Sequence, residues 1–74
     1  MSDKCTAIID RIIELRKNQK MTQKDLAKAA CLMQPAVARL ENKTAVPKLD
    51  TLLKVLEPLG QTIEIVPIRP TVKK

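Results

Sequence analysis

Apolar residues in the first part of the chain recur at intervals of three and four. Cys5, Ile8, Ile9, Ile12, Ile13 and Leu15 form one side, with Asp10, Arg11, Glu14 and Lys17 between them. That spacing predicts an amphipathic helix from about Asp3 to Asn18, which Ser2 or Asp3 can cap. The chain breaks at Asn18-Gln19-Lys20. Thr22 then stands as an N-cap with Asp25 three residues on, an approximate capping box, and Met21 and Leu26 are placed to form a hydrophobic staple. This second helix is short and runs to Ala29 or Ala30. Cys31-Leu32-Met33 is the turn. A third helix starts near Gln34, because Pro35 fits only a first helical turn, where its missing N–H costs nothing. Val37 and Leu40 face inward, and the helix ends near Glu41 or Asn42. Asn42-Lys43-Thr44-Ala45-Val46-Pro47 reads as a loop. A fourth helix covers about Leu49 to Leu59, with Leu49, Leu52, Leu53, Val55 and Leu56 as its apolar set. Pro58 weakens its last turn and Gly60 ends it.

Beyond Gly60 the period changes. Thr62, Glu64 and Val66 alternate with Ile63 and Ile65, which is strand periodicity. A lone strand in a helical chain needs an outside partner, so it is expected to pair with another copy of itself or with a different protein. The tail, through Arg69, Pro70, Lys73 and Lys74, reads as flexible and basic. The expected organisation is an all-α domain over residues 1–60, a dimerisation strand over 61–67 and a tail over 68–74.

Composition narrows the function. At 74 residues the chain is one small domain, and its 45% hydrophobic content suits a globular fold. So small a core gains from oligomerisation. Fourteen Lys and Arg against eight acids give a net charge of +6, which fits either a polyanion partner or plain solubility. Aromatic residues are absent, which counts against recognising single strands or RNA by base stacking. Histidine is also absent, which excludes His-based acid/base work, Ser-His-Asp chemistry and zinc fingers. With no phosphate-cradling glycine loop and no room for a pocket, neither an enzyme nor a cofactor is expected. Cys5 and Cys31 lack metal-site spacing. A disulfide between them stays open, although the lack of a signal peptide favours free buried thiols in a reducing cytosol. Apolar runs are too short to span a bilayer. A first helix with Asp10 and Glu14 on its polar face, and no Trp or Phe, argues against a membrane surface.

Two short helices joined by a tight turn in a basic helical domain suggest a helix-turn-helix. The run TQKDLAKAACLMQPAVARL from Thr22 to Leu40, continued by Glu41 and Asn42, resembles the lambda/434-repressor-like family, the Cro/C1 or xenobiotic-response-element type. Thr22-Gln23 opens the motif, Leu26-Ala27 lies at its centre, Gln34 opens its second helix, and Val37 and Leu40 are core positions. The resemblance covers roughly residues 8 to 60, with the motif at about 22–41. It implies a four- to five-helix lambda-repressor-like DNA-binding domain. Ala27 is small where two helices cross steeply, and the outer face of the second motif helix then meets the major groove. On that face lie Met33, Gln34, Pro35, Ala38 and Arg39. Gln34 can pair with adenine N6 and N7, Arg39 with guanine O6 and N7, and Pro35 and Ala38 can touch a thymine methyl.

The resemblance implies further roles. Gln23 is similar to the family's phosphate-binding glutamine at a helix start, where the helix N-terminus also favours an anion. Thr22, Asn42, Lys43 and Thr44 lie close to where the family grips the phosphate strand, and Lys24 and Lys43 can add charge. Arg16 and Glu41 match a family ion pair that fixes the recognition helix, a structural role. Three positions depart from the pattern. Cys31 and Lys43 stand where glycine is common, which bears on turn geometry, and Met33 replaces a Ser or Thr cap. The function expected is a cytoplasmic, dimeric, sequence-specific regulator of transcription, a repressor at an inverted-repeat operator on double-stranded DNA. The alternative is an antitoxin of the HigA- or HipB-like kind, which binds its operator and also a toxin.

Overall fold

In the computed structural model residues 1–68 are described. They form four α-helices, α1 (Asp3–Asn18), α2 (Gln23–Ala29), α3 (Gln34–Glu41) and α4 (Leu49–Leu56), followed by a single 3-10 turn at Glu57–Leu59. The core gathers one stripe from each helix: Ile9 and Ile12 from α1, Leu26 and Ala27 from α2, Val37 and Leu40 from α3, and Val55 and Leu56 from α4, with Leu59 behind them. Ile13, Leu15, Met21, Leu32 and Leu52 pack around this centre. The all-α domain read from the periodicity is the one formed.

The starts of the helices are built locally. The Ser2 hydroxyl accepts from the Cys5 N–H at 3.2 Å. Thr22 and Asp25 form a full capping box: the Asp25 N–H donates to the Thr22 hydroxyl, and the Thr22 N–H donates to the Asp25 carboxylate, each at 3.0 Å. That backbone donor, then the Thr22 hydroxyl, holds the Asp25 carboxyl below the usual aspartate range. The ionised cap is therefore complete above the ordinary aspartate pKa and weakens as pH falls through the depressed value. Met33 caps α3 with no side-chain hydrogen bond, and Pro35 in the first turn leaves one N–H fewer to satisfy.

The ends of the helices share one device. After α1, Lys20 adopts a left-handed backbone (φ 58°), and the Lys20 and Met21 N–H groups donate back to Lys17 and Arg16 at 2.9 and 3.0 Å. After α2, Cys31 does the same (φ 59°), with Cys31 donating to Lys28 at 3.3 Å and Leu32 to Ala27 at 2.8 Å. After α3 the residue is Lys43 (φ 62°), which donates to Leu40 at 3.3 Å, while the Thr44 hydroxyl reaches the Arg39 carbonyl at 3.5 Å. These are Schellman-type ends, which satisfy the last carbonyls by turning one residue left-handed. Cys31 and Lys43 thus keep the turns that glycine makes more cheaply. Gly60 (φ 76°) closes the 3-10 turn in the same way.

Several expectations need correction. Helix α4 ends at Leu56 rather than Leu59, because Pro58 has no N–H for the α-helical ladder and residues 57–59 tighten to 3-10 geometry. Leu49 and Leu53 are 61% and 40% exposed, so they lie outside the core although they share the apolar stripe; Ile8 on α1 is 44% exposed. Among the described residues there is no strand: Thr62, Ile63, Glu64, Ile65 and Val66 are exposed and unpaired. Alternation marks which residues share a face, but a strand also needs a backbone partner, and a single chain of helices supplies none. Both cysteines are free, Cys5 half-buried and Cys31 exposed, so neither is a buried thiol. There is also more room than expected: an open apolar groove of about 320 Å³ lies between α1, Leu56 and Ile63. Of the expected tail, residues 69–74 lie outside the described residues.

The left-handed turn at Cys31 yields a direct check. Cys31→Gly is expected to raise unfolding free energy by roughly 0.5–1 kcal/mol, and Cys31→Val to lower it by more than about 1 kcal/mol, because a β-branched residue is worst tolerated at positive φ. Urea denaturation of the three proteins under reducing conditions measures both.

Candidate nucleic-acid interface

Helix α3 divides by side. Val37, Leu40 and Glu41 are buried; Met33, Gln34, Pro35 and Arg39 are exposed, and Ala38 is half-buried. Positions 34 and 38, and 35 and 39, are each one turn apart, so these side chains form a continuous outer face opposite Val37 and Leu40. Leu26 and Ala27 of α2 pack behind it, Ala27 leaving room for the crossing at 2% exposure.

One polar cluster connects this helix to the rest. Arg16 Nε donates to Glu41 Oε2 at 2.7 Å and Arg16 Nη2 to Glu41 Oε1 at 3.0 Å, a two-pronged pair with each residue 9% exposed. The third arm, Arg16 Nη1, donates to the Met21 carbonyl at 2.7 Å. Gln23 Nε2 donates to Glu41 Oε1 at 3.0 Å. The end of α3, the start of α2 and the loop before α2 are thus tied to one arginine of α1. Among the described residues no buried side-chain nitrogen or oxygen lacks a partner.

The residues expected near phosphate fall into two groups. Thr22, Gln23 and Lys24 stand at the start of α2; Asn42, Lys43 and Thr44 follow α3. The hydrogen bond from Gln23 to Glu41, the residue just before the second group, ties the start of α2 to the end of α3. Among the described residues Lys24 and Asn42 are exposed with no side-chain hydrogen bond or ion pair, whereas the others have partners. The Thr22 hydroxyl caps α2, the Thr44 hydroxyl closes α3, and Lys43 Nζ lies 2.6 Å from Asp10 Oδ1 of α1. Asp10 and Gln19, whose amide donates to the Leu59 carbonyl at 3.2 Å, were not legible as contacts: nothing in their local pattern marks the distant partner.

The arrangement is a helix-turn-helix whose second helix offers Gln34 and Arg39 on an outer face with Pro35 and Ala38. A family model described as helix-turn-helix (HTH_3) matches residues 12–66, and the chain belongs to that family. Among its relatives, an uncharacterised HTH-type transcriptional regulator of Haemophilus influenzae is 43% identical over 63 residues, 85% of this chain and 64% of the relative. Antitoxin HigA1 of Mycobacterium tuberculosis is 29% identical over 73 residues, 99% of this chain and 49% of that protein. This chain therefore spans about half to two thirds of the length of these curated relatives. A solved structure, a toxin–antitoxin module from Streptococcus pneumoniae, superposes with a TM-score of 0.77 at 40% identity, over 90% of this chain and 74% of that one. No helix of the described residues is long and apolar enough to cross a membrane.

The cluster predicts a non-additive result. Arg16→Met alone is expected to cost about 3–5 kcal/mol, since it strands the Glu41 carboxylate, whereas Arg16→Met with Glu41→Leu is expected to recover much of that loss. Thermal and urea unfolding of both variants measures the difference.

Proposed function

We propose that this protein binds double-stranded DNA sequence-specifically and regulates transcription, acting as a repressor on an inverted repeat. The reading rests on one observation: α3 is anchored by Val37, Leu40 and Glu41 while Met33, Gln34, Pro35 and Arg39 face outward. A helix so mounted fits the major groove, where Gln34 matches adenine and Arg39 guanine, with Pro35, Ala38 and Met33 in apolar contact. Gln23, at the start of α2, is assigned to a backbone phosphate, with Thr22, Lys24, Asn42, Lys43 and Thr44 around the same strand. Residues 1–60 are the DNA-binding unit in this reading.

Two copies related by a two-fold axis read half-sites about one helical turn apart. We assign the contact between them to the segment after Gly60, where Ile63, Ile65 and Val66 are 40%, 99% and 65% exposed. Apolar groups this open gain from burial against a second copy.

The antitoxin reading stands beside it, favoured by the likeness to HigA1 and to the toxin–antitoxin module. It adds a toxin as second partner and leaves the DNA face unchanged. Co-purification of a small toxin with the chain separates the two.

Selection of bound duplexes from a random pool tests the DNA reading. The wild type is expected to return an inverted repeat. Gln34→Ala and Arg39→Ala are expected to relax preference by about 1–3 kcal/mol at the contacted base pair, and Gln23→Ala to weaken all duplexes alike. A selected sequence unaltered by the α3 substitutions removes α3 as the reading helix. Sedimentation velocity checks the second assignment. Ile65→Asp, at a side chain that is 99% exposed, is expected to shift the protein from dimer to monomer.

A further inference from the structure

The loop between α3 and α4 contains one charged residue between Glu41 and Lys48, and it is Lys43. Its backbone is left-handed (φ 62°), a conformation glycine adopts with less strain. Its ammonium does not point free into water: Nζ lies 2.6 Å from Asp10 Oδ1, across on α1. Both side chains remain open to solvent, at 34% and 57% exposure, so water and salt screen the pair and its partners can exchange. The other acid nearby in sequence on this helix, Glu14, is engaged with Arg11. Asp10 therefore places a carboxylate beside Lys43, the cation nearest α3 in a loop assigned to the phosphate strand.

We propose that Asp10 limits the affinity of the DNA interface by holding Lys43 back from the phosphate backbone. The inference rests on the DNA-binding reading above. A lysine–phosphate contact strengthens binding to every sequence, because phosphates carry no sequence information. Paired with Asp10, Lys43 adds no net charge to the interface. To reach a phosphate it must leave the carboxylate, which then faces the DNA with its own negative charge. Asp10 thereby lowers duplex affinity as a whole and leaves the readout by Gln34 and Arg39 untouched.

The test uses the full chain, with the duplex selected from a random pool and a scrambled duplex of equal length. Asp10→Asn is expected to bind both more tightly by the same factor, with preference between them unchanged. Its plot of log affinity against log salt is expected to be steeper by about 0.9 per bound subunit, so the gain shrinks roughly threefold per subunit, or roughly twelvefold for a bound dimer, between 50 and 200 mM salt. Lys43→Gln, combined with Asp10→Asn, is expected to abolish the gain. Circular dichroism checks that each variant keeps its helices, which the exposure of both side chains favours. Asp10→Asn with an unchanged or shallower slope overturns the inference. So does a gain that survives Lys43→Gln, since Asp10 is then acting by simple repulsion without the lysine. A wild type that binds neither duplex at low salt overturns the DNA reading itself, and this inference with it; wild-type binding with an unresponsive Asp10→Asn overturns this inference alone.

Discussion

Two charges leave water together when this chain folds. The Arg16 guanidinium and the Glu41 carboxylate meet in two parallel hydrogen bonds, both residues 9% exposed. Either group buried without the other carries a penalty of several kcal/mol, a large part of the total stability of a domain this size. The pair is consequently a constraint on geometry more than a source of stability. It is satisfied only when the end of α3 lies against the last turn of α1. Arg16 uses its remaining arm on the Met21 carbonyl, immediately before the Thr22 cap, and Glu41 accepts from Gln23, at the first position of α2. The two helices of the motif and the helix behind them are thus referred to one point. Apolar packing of Val37 and Leu40 tolerates some sliding and rotation; a two-pronged ion pair tolerates little.

The short helices impose a second demand. Helices of seven and eight residues are too short to be stable alone, and each leaves unpaired backbone groups at both ends. The chain meets the demand with tight, repeated ends: Lys20, Cys31 and Lys43 all turn left-handed. Non-glycine residues there raise the backbone cost but reduce the freedom of the unfolded chain. They also keep side chains in the turns. At Lys43 that side chain reaches Asp10, and the loop following α3 acquires a tie to α1 that a glycine lacks.

These constraints leave an outward face on α3 that packing does not use. Gln34, Pro35 and Arg39 contribute little to the core, so their identities are free to serve recognition. The match of residues 12–66 to the helix-turn-helix family, and the likeness to a transcriptional regulator and to antitoxins, concern the same scaffold. The segment after Gly60 lies outside the helical core, with Ile63, Ile65 and Val66 exposed, and it is there that we propose a second chain packs.

The local pattern of the chain determined where the helices begin and, except at α4, where they end, because caps, prolines and three-to-four periodicity act over a few residues; α4 stops at Leu56 and not at Leu59. Ser2, the Thr22–Asp25 box, Pro35 and Gly60 are of this kind. The inward face of α3 was legible for the same reason. Tertiary structure alone decided what periodicity does not distinguish. Leu49 and Leu53 share a stripe with Leu52 and Leu56, yet they face solvent, because burial depends on whether a neighbouring element covers them. Ile63 and Ile65 alternate like a strand but form none, since a strand needs a partner backbone and the described residues supply none. The contacts of Asp10 with Lys43 and of Gln19 with Leu59 join residues 33 and 40 positions apart. Such pairings depend on how the helices cross, and that is set by the whole core at once.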